Sequence, residues 1–90
     1  MTYSVKLSPP AAKAYKKLDP SVKPRLLAAL DALQRQPMAG PQITRLKGRL
    51  REHLRCRASD YRIVYPVVQH ERTVYVEYLQ HRKDVYRHRE

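Results

Sequence analysis

The sequence predicts an α+β fold of order β-α-α-β-β-β, in which a helical hairpin packs on one face of a small, mostly antiparallel sheet. Apolar and polar residues alternate in residues 2–7, 53–65 and 73–80, which is the period of half-buried strands. Between the first two segments, apolar residues recur every three or four positions, the period of amphipathic helices. Two such helices need an apolar surface, so we expect them to cover one sheet face and leave the other open.

Ser8 and Pro9 mark the start of the first helix. Serine caps a helix by accepting a backbone N–H, and proline suits the first helical position. We expect this helix to reach Leu18, with a basic face formed by Lys13, Lys16 and Lys17. Residues 19–21 end it and cap a second helix, whose apolar face comprises Val22, Leu26, Leu30 and Leu33.

The central hairpin follows a connector, residues 43–49, to which the pattern assigns no defined structure. Its first strand turns Leu54 and Cys56 to one face, residues 58–60 form a polar break, and residues 61–65 return. The opposite face of the first strand carries a row of basic residues: His53, Arg55 and Arg57. Like charges on one face repel, so the row predicts an anionic ligand such as phosphate.

The last predicted strand, residues 73–80, follows a turn around residues 69–71. Alternation places Val74, Val76 and Tyr78 on one side and Tyr75, Glu77 and Leu79 on the other. Pro66 has no backbone N–H to donate to a neighbouring strand, so we expect a bulge there, or an edge at which that position is unpaired. Four tyrosines at strand spacing favour core or cross-strand packing over base stacking: Tyr61, Tyr65, Tyr75 and Tyr78. A short basic tail ends the chain.

Composition indicates one domain, residues 1–90, with a polyanionic partner. The chain has 19 Lys and Arg against 8 Asp and Glu, a formal charge of +11 that favours nucleic acid or an acidic protein. Cys56 is the only cysteine, which excludes a disulfide framework or zinc cluster, and its place beside Leu54 predicts a buried, inert thiol. The sequence contains no run of membrane-spanning length, and a reducing cytoplasm is the expected setting.

Four blocks in this order resemble the RelE/ParE superfamily of bacterial toxins from type II toxin–antitoxin modules. They are Leu-Lys-Gly at 46–48, Leu-Arg-Cys-Arg at 54–57, Asp-Tyr-Arg-Ile-Val-Tyr at 60–65 and His-Arg-Lys-Asp-Val-Tyr at 81–86. The resemblance covers nearly the whole chain and implies the RelE-like microbial RNase fold. RelE-like members are ribosome-dependent endoribonucleases that cut mRNA in the A site, whereas ParE-like members poison DNA gyrase and lack the catalytic set. This sequence is more similar to the RelE side.

The resemblance implies a set of catalytic residues: His53, Arg55, Arg62, His81, Arg82 and Tyr86. It implies further contacts to RNA through Arg57, Lys47, Lys83 and the helix lysines Lys13, Lys16 and Lys17. The sequence departs from the best-known members in two ways. Position 53 carries His in place of Lys, and the tail between Arg82 and Tyr86 is shorter.

RNA cleavage of this kind needs no metal or other cofactor, and the histidines show no metal-ligand spacing. The 2′-hydroxyl attacks its own phosphate and yields a 2′,3′-cyclic phosphate. Arginine suits charge stabilisation because it is always charged and bidentate, but it is too basic to accept the proton. Proton transfer therefore falls to His81, His53 or Tyr86. For His81, the positive field of Arg82 is expected to lower the pKa and favour a neutral imidazole that is competent as a base.

The resemblance also implies partners. An acidic, RelB-like antitoxin covers the basic face, mRNA and the ribosome are the targets, and operator DNA is reached only through the antitoxin. No membrane partner is expected. Two alternatives remain open at this point: a ParE-like DNA gyrase inhibitor without nuclease activity, and a purely regulatory nucleic-acid-binding module.

Overall fold

The computed structural model describes residues 2–85, without the side chains of Leu50, Asp84 and Val85. In that part of the chain the order is β1 (Ser4–Leu7), α1 (Pro9–Lys16), α2 (Lys23–Arg35), β2 (Ile43–Arg45), β3 (Leu54–Ala58), β4 (Tyr61–Tyr65), β5 (Val67–Val68), β6 (Thr73–Val76), β7 (Tyr78–His81) and α3 (Arg82–Val85). Short 3₁₀ turns occupy Gly48–Leu50 and Gln69–Glu71. The predicted tail beyond residue 85, with Tyr86, lies outside the described residues.

Helix α1 begins as the sequence predicts. The Ser8 hydroxyl oxygen accepts the backbone N–H of Ala11 at 3.1 Å, and proline occupies the first turn. The same hydroxyl donates to the carbonyl of Glu77 at 2.8 Å, which ties the start of the helix to the sheet. The helix ends at Lys16, because the following N–H groups bond carbonyls three residues back. Leu18 lies beyond it and is still buried.

Helix α2 presents Leu26, Leu30 and Leu33 to the core, as predicted. Its N-cap residue is Val22, which supplies no side-chain hydrogen bond, so the predicted cap from residues 19–21 is wrong in detail. The Asp19 carboxylate instead accepts the N–H and the hydroxyl of Ser21 at 2.9 and 2.7 Å and stabilises the turn between the helices.

The strands form two sheets, which are the two halves of the β layer. One half has the order β2-β3-β4-β7 and is antiparallel, and the other has the order β1-β6-β5, with β1 parallel to β6. The connector is thus an edge strand, β2. The N–H of Tyr75 donates to the carbonyl of Pro66 at 3.1 Å, and that of Glu77 to Val64 at 2.9 Å, so backbone hydrogen bonds cross between the halves.

Pro66 and Glu77 interrupt strands that alternation predicts to be continuous. Pro66 lies between β4 and β5, outside both strands, so its missing N–H costs the ladders nothing. Glu77 separates β6 from β7 and shifts the alternation by one residue. The prediction that placed Tyr78 beside Val76 and turned Leu79 away is therefore wrong: Leu79 is 8% exposed and Tyr78 is 42% exposed.

The core lies between the helices and one face of the sheet, which confirms the predicted α+β architecture. Alternate residues of β3 and β4 enter it, Cys56 among them. Burial raises the pKa of the Cys56 thiol, in agreement with an inert cysteine. Tyr65 is fully buried and donates its hydroxyl to the carbonyl of Pro37 at 2.7 Å. Within residues 2–85, no helix has the length and apolar character needed to cross a membrane.

Candidate active site

The register of the central hairpin places two arginines directly opposite each other. Arg57 on β3 pairs with Arg62 on β4, and Gln80 on β7 is the next neighbour across the sheet. Their strand neighbours Cys56 and Ile63 point into the core, so these side chains lie on the open face. Arg57 is exposed and Arg62 is half-buried. The open face is basic, as the sequence predicts.

Arg82 joins this pair from the end of the sheet. Its backbone N–H donates to the carbonyl of Asp60 at 2.7 Å, and its Nη1 lies 3.8 Å from Oδ1 of the same residue. Both side chains are more than half exposed, so the ion pair adds little to folding stability. Its effect is positional: it holds the guanidinium beside the turn that joins β3 to β4.

An open cleft of about 310 Å³ lies at this end of the sheet. It is lined by Arg57, Ser59, Asp60, Tyr61, Arg62 and Arg82. Three guanidinium groups therefore surround a small polar space that contains one lining carboxylate. Guanidinium groups match the oxygen geometry of phosphate in a bidentate manner, so this arrangement is suited to binding and polarising a phosphodiester.

Arg55 lies on the same face, two residues before Arg57 on β3. Burial lowers the pKa of Arg55, and the positive charges of Arg62 and Arg57 lower it further. The contributions of Arg62 and Arg57 to this lowered pKa reflect repulsion between positive charges on this face. An anion bound here would relieve that repulsion.

His81 ends β7 beside the cleft. Its ring meets the ring of Tyr61 edge to face, with centroids 5.1 Å apart. Its Nδ1 accepts the backbone N–H of Lys83 at 3.1 Å, as a cap of α3. A nitrogen that accepts a hydrogen bond carries no proton, so the neutral ring holds its proton on Nε2. In this tautomer His81 can donate a hydrogen bond through Nε2.

His53 lies away from the cleft. Its Nε2 is 2.8 Å from Oε1 of Glu77, the residue at the bend, and the imidazole is mostly buried. Within the described part of the chain, its buried Nδ1 has no hydrogen-bond partner. The structure thus places His81 beside the cleft and pairs His53 with the carboxylate of Glu77.

The remaining predicted residues are distributed over the surface. Lys47 and Lys83 are exposed, as are Lys13 and Lys16 on α1 and Lys17 just after it, and none of these lines the cleft. Tyr86 lies outside the described residues. The structure therefore brings together Arg57, Arg62 and Arg82, with Arg55 and His81 close by.

Sequence reasoning missed Ser59 and Asp60 as lining residues. Both belong to the polar break of the hairpin, where such residues are typical of turns, so their type carried no functional signal. Their position carried the signal: the turn between β3 and β4 lies next to the residue that follows the neighbouring strand β7, which is Arg82. Among residues 2–85, no group of three or more His, Cys, Asp or Glu side chains is arranged to hold a metal ion.

Solved structures of toxin–antitoxin proteins are similar to this fold. The RelBE2 complex from Mycobacterium tuberculosis matches with a TM-score of 0.80 and 22% identity, over 90% of this chain and 99% of that chain. The archaeal RelE–RelB complex from Pyrococcus horikoshii matches with a TM-score of 0.77 and 28% identity, over 91% and 97%. The YoeB/ParE toxin from Agrobacterium tumefaciens matches with a TM-score of 0.75 and 18% identity, over 87% and 96%. No curated protein sequence matches significantly.

The family comparison covers most of the chain, including the cleft. Residues 5–86 match the model of the family described as the ParE toxin of type II toxin–antitoxin systems, parDE. The matched region contains the three described helices, the described strands from β2 to β7, all but the first residue of β1, and the arginines of the cleft. The chain therefore belongs to the ParE toxin family and is a toxin of a type II toxin–antitoxin system within the RelE/ParE superfamily.

Proposed function

We propose that this toxin is a metal-independent endoribonuclease that cleaves mRNA in the ribosomal A site and thereby inhibits translation. The observation that carries the proposal is the convergence of Arg57, Arg62 and Arg82 on one small cleft. Like charges held this close oppose folding, and an anionic transition state is the ligand that offsets their repulsion. The matches of Arg55, Arg62 and Arg82 to the RelE-like catalytic positions point the same way.

The reaction joins the 2′-oxygen to the adjacent phosphorus and breaks the bond from that phosphorus to the 5′-oxygen. Its products are a 2′,3′-cyclic phosphate and a 5′-hydroxyl. Negative charge accumulates on the non-bridging oxygens in the transition state, where Arg62 and Arg82 donate hydrogen bonds. Arg57 binds the phosphate backbone at the rim of the cleft, and Arg55 adds positive potential beside it.

In this proposal two groups act on the reacting oxygens. The Asp60 carboxylate, which lines the cleft, accepts the proton of the 2′-hydroxyl. The Nε2–H of His81 donates a hydrogen bond to the leaving 5′-oxygen, which takes its proton from water. The Nε2 atom of His53 is held by Glu77, so we give His53 a structural role at the bend.

The test is to add the purified toxin to ribosomes stalled on a defined mRNA and to map the new 5′ ends. Wild type, Arg82→Ala and the control Arg25→Ala are compared; Arg25 is an exposed arginine of α2 outside the cleft. Cuts confined to the A site, lost in Arg82→Ala and kept in the control, support the proposal. Cuts on naked mRNA as well would make the toxin a ribosome-independent RNase, and no cuts would refute nuclease activity.

The name of the matching family favours one alternative, a ParE-like inhibitor of DNA gyrase without nuclease activity. Such a protein acts by binding, so it would tolerate loss of Arg82 and His81. Inhibition of gyrase supercoiling by wild type and Arg82→Ala alike, with mRNA left intact, would establish this alternative.

We propose that an acidic, RelB-like antitoxin binds the toxin in the cytoplasm and covers its basic face. The similar archaeal RelE was solved as a complex with RelB. Two features of this chain fit such a partner: its formal charge of +11, and an apolar groove of about 370 Å³ where α2 faces β2 and β3. Titration with the product of the adjacent reading frame should give salt-dependent binding and abolish cleavage, and binding of operator DNA should require that partner.

A further inference from the structure

Tyr78 is the one described tyrosine whose side chain has no partner within residues 2–85. The other five each form a hydrogen bond or a ring contact: Tyr3 with Gln69 and Arg72, Tyr15 with Lys23, Tyr61 with His81, Tyr65 with Pro37 and Tyr75 with Glu71. Tyr78 is 42% exposed, and the other exposed large apolar side chain of the described chain is Leu27, on α2. An aromatic side chain is thus left free on the open face of the sheet.

The register places Tyr78 among the arginines. Across the sheet, Arg55, Val64 and Tyr78 form one row, and Arg57, Arg62 and Gln80 form the next. Arg62 and Tyr78 are diagonal neighbours, a relation that separates Cα atoms by about 7–8 Å. Val64 is only 4% exposed although it lies on the open face, so this part of the face has an apolar floor.

Single exposed apolar residues are common and by themselves indicate nothing. Tyr78 differs because cationic side chains occupy the same face within one row of it. The nearest carboxylate in sequence, Glu77, is bound by His53, and the ion pair of Asp60 is with Arg82 at the end of the sheet. Aromatic rings interleaved with basic residues on an open sheet are the arrangement by which proteins bind single-stranded nucleic acid.

We propose that Tyr78 stacks on a nucleobase of the single-stranded RNA whose phosphate occupies the arginine cleft. The inference rests on the proposed nuclease function and extends its site by one nucleotide along the sheet. Because every base has a π-face, the contact tolerates any base and contributes binding rather than sequence preference. Gln80, between Tyr78 and the cleft wall, is placed to hydrogen-bond the edge of the same base.

The test is single-turnover cleavage of mRNA on stalled ribosomes, with an abasic nucleotide introduced in turn at each position around the cut. Tyr78→Ala and Tyr78→Leu should cleave intact mRNA about tenfold more slowly than wild type, whereas Tyr78→Phe keeps the ring and should stay within about twofold. Leu27→Ala is the matched control for an exposed apolar side chain and should be unaffected. One abasic position should slow wild type by a similar factor and leave Tyr78→Ala unchanged.

Each outcome separates the two proposals. Stacking is refuted, and the nuclease function stands, if Tyr78→Ala and Tyr78→Leu cleave as fast as an active wild type. The same holds if an abasic position slows wild type and Tyr78→Ala equally. Arg62→Ala should be slow yet still sense the abasic position. If Arg62→Ala is fully active, the cleft is not the active site, and if wild type cleaves no mRNA, both proposals fall. Thermal unfolding of each variant checks that it is folded.

Discussion

Replacing Arg62 by glutamine should change catalysis and folding stability in opposite directions. Arg62 lies directly opposite Arg57, and its charge lowers the pKa of Arg55, so it destabilises the folded sheet. Like charges at opposed strand positions cost about 0.2–1 kcal/mol, and the exposure of Arg57 keeps the value near 0.5 kcal/mol. For a domain of this size, Arg62→Gln should therefore raise Tm by about 2–4 °C.

The catalytic effect of the same substitution is larger and unfavourable. Removal of one preorganised donor to a developing oxyanion typically costs about 100- to 1,000-fold in rate. Arg62→Lys separates charge from geometry, because lysine keeps the charge but lacks the bidentate fork. We expect this variant to keep wild-type stability and still to lose about tenfold in rate.

The assay pairs single-turnover cleavage on stalled ribosomes with thermal unfolding at low and high salt. The gain in Tm should shrink at high salt, because salt screens the repulsion between the arginines of the wild type and leaves less of it for the substitution to remove. Arg25→Gln, on the exposed surface of α2, controls for the general loss of one positive charge. Wild-type cleavage by Arg62→Gln would refute the catalytic role, and a fall in Tm of several degrees would show that Arg62 supports folding instead.

Three further predictions follow from individual contacts. Tyr65→Phe removes the buried hydrogen bond to the carbonyl of Pro37 and should lower the unfolding free energy by about 1–3 kcal/mol in urea titrations, with cleavage retained. Hydrogen bonds from the N–H and hydroxyl of Ser21 lower the pKa of Asp19 from its ordinary value of 3.8. The stability that these hydrogen bonds add is fully present above pH 3.8 and is lost as the pH falls through the lowered pKa. Asp19→Asn has no carboxylate to protonate there, so below about pH 4 its unfolding free energy should fall less than that of wild type. The Cys56 thiol, buried and with a raised pKa, should react with a disulfide reagent far more slowly in the native protein than in urea, and equal rates would contradict its placement in the core.

The sequence predicts the helices and the hairpin well because their determinants are local. Ser8 and the prolines define the start of α1, and alternation between Leu54 and Arg57 defines β3 without reference to the rest of the chain. The strand β2 has no such signature. Its three residues form a strand because β3 offers an unpaired edge, which is a tertiary cause that the local pattern does not carry.

The arginine pair depends on one residue of the hairpin turn. The sequence pattern places Ala58 in the polar break, and a three-residue turn of that kind would place Arg57 opposite Tyr61. In the structure Ala58 belongs to β3 and pairs with Tyr61, so the turn comprises Ser59 and Asp60 alone and Arg57 faces Arg62. Ser59 makes this possible by adopting a left-handed backbone with φ of 56°. The identity of the basic residues was therefore predictable, but their pairing was not.

The bend at Glu77 determines which side chains of β7 lie on the open face of the sheet. Uninterrupted alternation from Val76 would have turned Tyr78 into the core and brought His81 to the face of Arg62. Because the ladder of β7 restarts after Glu77, His81 pairs with Tyr61 instead, and Tyr78 emerges among the arginines. Three contacts or breaks accompany the bend: Pro66 interrupts the neighbouring chain between β4 and β5, the Ser8 hydroxyl bonds the carbonyl of Glu77, and His53 bonds its carboxylate. His53, which the sequence places on the basic row, thus contacts the bend and does not line the cleft.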